Sequence, residues 1–184
     1  MDKNFKNILS KISSEKDIGV TFDKNLYFHS HINNIIIKSN RMKGIIHRSF
    51  SYLDKPTFLK LYKALIRPII EYANVIWHPL YKGQLQEIEK VQRRATKMVP
   101  SIQNKTYFQR LVELKLPSIK FRQLRSDLIQ TYKIIHNIDN IDCNDFFTFD
   151  KYNKTRNNEL KLFKPFVKTA IKKKKFFAHI ILND

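Results

Sequence analysis

The sequence predicts a mainly α protein: a bundle of helices, one strand near the N-terminus and an irregular, basic C-terminal tail. Three observations carry that expectation. Apolar residues recur at the 3.6-residue period through most of the chain. Only 3 glycines and 6 prolines occur in 184 residues, little material for turns between many short strands. Past Asn137 the period is lost, and Asx-rich chain and then lysines take over.

Within residues 1–28 the run "KDIGVTF" alternates Ile18, Val20 and Phe22 with other residues, which predicts one strand. A single strand has no stability of its own, so it must pair with something. From Ser30, a plausible N-cap, the next stretch puts Ile32, Ile35, Ile36, Met42, Ile46 and Phe50 on one helical face. Asn34, Lys38, Arg41 and Arg48 fall on the other.

Asp54 followed by Pro56 matches an N-cap with proline in the first turn. The helix it opens has Leu59, Tyr62, Leu65 and Ile66 as its apolar face, and Pro68 should kink or break it near Ala64. A third helix, from about Gln84 to Val99, presents Leu85, Ile88, Val91, Ala95, Met98 and Val99 to the core. Pro100 stops it. Thr106 caps a short helix through Leu114, and Ser118 caps a longer one with Phe121, Leu124, Leu128, Tyr132 and Ile135 inward. On that last helix Arg122, Ser126 and Lys133 lie away from the core.

The helical domain therefore covers residues 29–137, with 1–28 before it and an irregular, basic segment over 138–184. A short strand fits Leu160 to Phe163, and a terminal helix fits the chain after the Lys172 to Lys175 run.

Charge is the strongest functional signal. Thirty-five Lys and Arg against 16 Asp and Glu give +19, an excess that an anionic partner would screen. An AT-rich codon bias would explain scattered lysines but not arginines gathered on one face. In "EKVQRRATKMVP", Lys90, Arg93, Arg94 and Lys97 project within about 100° of one another, opposite the apolar face. Phosphate binding is the natural use of such a stripe, since neutralised phosphates release counterions. A solvated face, or ion pairs to Glu87 or Glu89, is the structural alternative.

Evidence for catalysis is thin. No two of the acidic residues are adjacent, so the neighbouring aspartates common at two-metal nucleotidyl-transfer sites are missing. Asp142 and Asp145 read as turn residues rather than cation ligands. His29 and His31 have no completing Cys or His cluster nearby and read as capping and surface residues. Gly19, Gly44 and Gly83 are isolated, so there is no phosphate-cradling glycine loop. Cys143 stands alone, which fits an intracellular setting and excludes a disulfide framework within the chain. Neither a secretory leader nor a run of about 20 apolar residues is visible.

The segments "DIGVTFDKNLYFHSHIN", "LYKALIRPIIEYANVIWHP", "IEKVQRRATKMVP" and "LVELKLPSIKFRQLRSDLIQTYKIIH" occur in one order. Together they resemble the C-terminal part of reverse transcriptases of jockey-type non-LTR retrotransposons, from about Lys16 to Phe177. The most specific matches are Arg67-Pro68, Glu71-Tyr72-Ala73, Trp77 with Pro79, and Gln92-Arg93-Arg94-Ala95. Gln123 stands where a second Arg often follows Arg122, and Ser126 replaces a usual Gly.

This resemblance implies the last palm strand in residues 1–28, a helical thumb in 29–137 and the following connection. The palm's catalytic aspartates would lie upstream, so the isolated chain is expected to be inactive, with no cofactor of its own and Mg2+ only in the missing palm. The expected partner is an RNA–DNA hybrid or other duplex, gripped by Lys90, Arg93, Arg94, Lys97, Lys38, Arg41, Arg48, Arg122 and Lys133. Two alternatives stand: a helical module that associates with the palm of an intact reverse transcriptase, or a transposon remnant without function.

Overall fold

The computed structural model describes residues 12–79, 81–149 and 160–163, and over them the protein is mainly helical. The expected lone strand is instead a hairpin: β1 (Ser14–Asp17) pairs antiparallel with β2 (Val20–Asp23). Its two-residue turn puts Ile18 at φ 41° and Gly19 at φ 82°, so both central residues are left-handed, as the tight turns matching strand twist require. Ile18 is thereby thrown out to solvent, while Val20 is buried and Phe22 packs edge-on against Phe28. A two-stranded ribbon is marginal alone; this one lies against the first helix.

That helix, α1 (His29–Ser49), does not use Ser30 as its cap. The chain enters through Phe28 at φ 56°, and the Asp23 carboxylate receives the N–H groups of Asn25, Tyr27 and Phe28. The tight loop between β2 and α1 is thus tied by one side chain. Ile32, Ile35 and Ile46 are buried, Ile36 and Met42 half-buried, and Phe50 is exposed beyond the helix end.

Asp54 caps α2 (Lys55–Leu61) as expected, accepting the Thr57 N–H. Proline at position 68 has no N–H to give the Ala64 carbonyl, and its ring crowds that carbonyl in a regular helix. The chain accommodates this with a π-helical turn over Tyr62–Ile66, then continues as α3 (Arg67–Glu71). The wider turn rotates the buried face, so Phe58, Tyr62, Ile66 and Ile70 point inward and Leu65 is exposed, contrary to its expected place.

Around Trp77 the chain makes tight turns, with the indole fully buried and its N–H donated to the Tyr72 carbonyl at 2.7 Å. α4 (Lys82–Thr96) packs on α1 and on both later helices, α5 (Tyr107–Glu113) and α6 (Ile119–Ile135). Pro100 opens a 3-10 turn over Pro100–Ile102 just past α4. Thr106 and Gln109 form a reciprocal capping box on α5, and Ser118 caps α6 by accepting the Phe121 N–H.

The facing of α6 is reversed from expectation. Its buried residues are Ile119, Gln123, Asp127, Thr131 and Ile134, while Phe121, Leu128 and Tyr132 are exposed and Leu124 and Ile135 only half-buried. Past α6 a second, small cluster joins Ile134, Cys143 and Phe147 with Ile135, Phe149 and Leu162. Asp142 caps its 3-10 turn (Cys143–Asp145), the turn role expected of it. Leu162 pairs with Phe149 in an isolated antiparallel bridge, the trace of the short strand. The expected terminal helix lies outside the described residues.

Candidate nucleic-acid interface

The "QRRAT" run on α4 divides its residues between two jobs. Gln92 is buried: its side-chain carbonyl accepts the Tyr62 hydroxyl at 2.8 Å, and its amide donates to the Pro117 carbonyl at 3.0 Å. Ala95 packs in the core beside Ile88 and Val91. Thr96 is also buried and accepts the Nε–H of Arg110 at 3.0 Å.

Arg110 is 2% exposed, with Nη1 donating to the Lys105 carbonyl at 2.5 Å and Nη2 to the Arg93 carbonyl at 3.3 Å. Burial pulls its pKa down, yet three hydrogen bonds satisfy the fork of the guanidinium. Arg110 thereby staples the C-terminal end of α4 to α5, a role hidden in the sequence because buried arginines are rare.

Outward from that scaffold, Lys90, Arg93, Arg94 and Lys97 are all exposed. They are not equally available. Lys90 pairs with Glu87 at 2.5 Å, and the Arg93 guanidinium lies 5.0 Å over the Tyr107 ring. Tyr107 in turn donates its hydroxyl to Glu89, and burial together with that bond raises its pKa. Glu89 also receives the Lys120 N–H at 3.3 Å. Its charge is therefore spent on α5 and α6 rather than on the stripe. Arg94 and Lys97 have no ion pair among the described residues.

On α1, Lys38, Arg41 and Arg48 are exposed. Arg41 and Arg48 flank a shallow groove floored by Ile37, Gly44 and Ile45. Lys38 faces elsewhere. It shares with Lys16 a cleft of about 580 Å³ between the hairpin, α1 and α3. Lys16 escapes sequence reasoning, because which strand residues face α1 depends on the hairpin register. His31 also lines this cleft and is buried, not on the surface as expected. Its Nδ1 accepts the Thr21 N–H at 3.2 Å, which leaves the proton on Nε2, and burial with nearby Lys38 lowers its pKa.

Two of the expected cations are engaged elsewhere. Arg122 grips Glu71 with both Nε and Nη2, the latter at 2.7 Å, clamping α6 to the end of α3. Lys133 is half-buried, 3.9 Å from Asp139.

Among the described residues no group of three or more His, Cys, Asp or Glu side chains gathers as a metal site, and no helix is long and apolar enough to cross a membrane. No family model, no curated protein and no solved structure matches this chain.

Proposed function

We propose that the chain is a thumb-like helical piece of a non-LTR-type reverse transcriptase, holding a primer–template duplex by its phosphates. The observation that carries this reading is the division of labour on α4. One face of the helix is fixed by Tyr62, Pro117 and Arg110, and the opposite face offers Arg93, Arg94 and Lys97 to solvent. A rigid helix with unpaired cations is suited to tracking a backbone by shape and charge, the way A-form duplexes are read. Arg41 and Arg48 on α1 supply further exposed cations, Lys38 opens instead on the cleft it shares with Lys16, and Arg122 is set aside because Glu71 occupies its fork.

Anisotropy binding to a labelled RNA–DNA hybrid across several salt concentrations tests this. Changing Arg93, Arg94 and Lys97 to Ala should weaken binding and flatten the salt slope by about one per lost phosphate contact. Equal binding and equal slope for parent and variant would overturn the assignment. Chemistry is not expected of the isolated chain: with Mg2+, a primed template and deoxynucleotides, the pure protein should extend nothing. Metal-dependent extension would refute the non-catalytic reading.

A further inference from the structure

We infer that the outer face of α6, with the adjoining face of α5, is a docking surface for an acidic-edged apolar segment of a second protein. This goes beyond duplex binding and does not depend on it. The primary observation is that α6 sits with its polar side in. Gln123 and Asp127 are buried, and neither amide atom of Gln123 has a hydrogen-bond partner among the described residues. The buried Asp127 carboxylate lies 3.0 Å from the His78 imidazole. On roughly the opposite side Phe121 is 58% exposed, Leu128 50% and Tyr132 57%, with Ile129 beside them.

At about 100° per residue, Phe121, Leu128 and Tyr132 fall within about 40° of one another, one face on which Arg125 sits between Phe121 and Leu128. The stripe does not end with the helix. Phe108 and Val112, one turn apart on α5, are exposed as well, and a groove of about 480 Å³ runs between them and Phe121. Large apolar side chains exposed together in this number, with cations set among them, mark an interaction site.

Charge selects the occupant. Among the described residues of α5, α6 and the turn between them, the exposed charges are Lys115, Lys120 and Arg125. The two acids of α5 and α6 are spent: Glu113 pairs with Lys55 and Lys105, and Asp127 is buried. A second copy of the chain would bring cation against cation. The chain beyond Phe163 fares no better, with six lysines and one acid. A partner whose apolar face is edged by Asp and Glu meets both requirements, and the aliphatic Val112, Leu128 and Ile129 favour side-chain packing over base stacking.

The test uses two labelled amphipathic peptides with the same leucine face, one edged with glutamates and the other with lysines. The full chain should bind the glutamate peptide at least tenfold more tightly. Phe121→Asp with Leu128→Asp, both at exposed positions, should lose that binding at least tenfold, and Arg125→Glu should narrow the preference between peptides. Circular dichroism checks that the variants fold.

No preference between the peptides, no binding, or binding untouched by F121D/L128D would overturn the proposal. So would concentration-dependent dimerisation abolished by F121D/L128D, which would assign the face to a second copy. Loss of hybrid affinity in F121D/L128D would assign it to nucleic acid instead. Because the stripe on α4 is left intact in these variants, failure here and failure of the duplex reading are separable.

Discussion

At the scale of single residues, the cations of this chain fall into two kinds that composition cannot distinguish. Arg110 and Arg122 are structural: each spends its guanidinium on fixed acceptors between helices. Arg94 and Lys97 remain in solvent. A double-mutant cycle separates the kinds of pair. Arg122 with Glu71, bidentate and half-buried, should couple by about 1–2 kcal/mol, whereas the exposed Lys90–Glu87 pair should stay below about 0.5 kcal/mol. His31 gives a pH signature. Its folded pKa lies below 6.5, so above that value the imidazole is neutral in both states and stability is complete. As pH falls below about 6.5 the unfolded chain takes the proton first, and stability drops until the folded pKa is passed. Urea midpoints from about pH 7.5 to pH 5 should fall for the parent and fall less for His31→Gln.

At the scale of elements, what could be read from the sequence is what is local. The caps at Asp54, Thr106 and Ser118 each depend on a side chain reaching the N–H three residues along, and all three stand where their residue types place them. Pro68 announces an interruption for the same reason. Facing is not local. The apolar stripe of α6 looks like a core face to any periodicity argument, yet the side that is buried is that of Gln123, Asp127 and Thr131. The π-turn likewise displaces Leu65 by a rotation no spacing rule contains. The hairpin turn is hidden in the sequence because Ile18 is a poor occupant of positive φ, and only Gly19 beside it hints at a turn. Gly19→Ala checks that hint: at φ 82°, with a new Cβ only 3.2 Å from the Tyr72 ring, it should cost about 1–2 kcal/mol in chemical denaturation.

At the scale of the whole molecule, the functional signal readable from sequence was the charge, and its placement needed the fold. The stripe on α4 and the cations of α1 were identifiable by period, while Lys16 and the engagement of Arg122 depend on tertiary pairing. A net charge of +19 acts on every part of the molecule together. Raising salt from about 20 mM to about 200 mM should raise the melting temperature by screening self-repulsion, while the same change weakens hybrid binding. The burial of Trp77 has a consequence of another sort. As the sole tryptophan, fully shielded and edge-on to His31 at 5.5 Å, it is a native fluorophore at the junction of the hairpin, α1 and the chain after α3. Its emission should be blue-shifted in the folded protein and move red when that junction opens. Protonation of the neighbouring imidazole should quench it, so folding and the titration of His31 can be followed optically without a label.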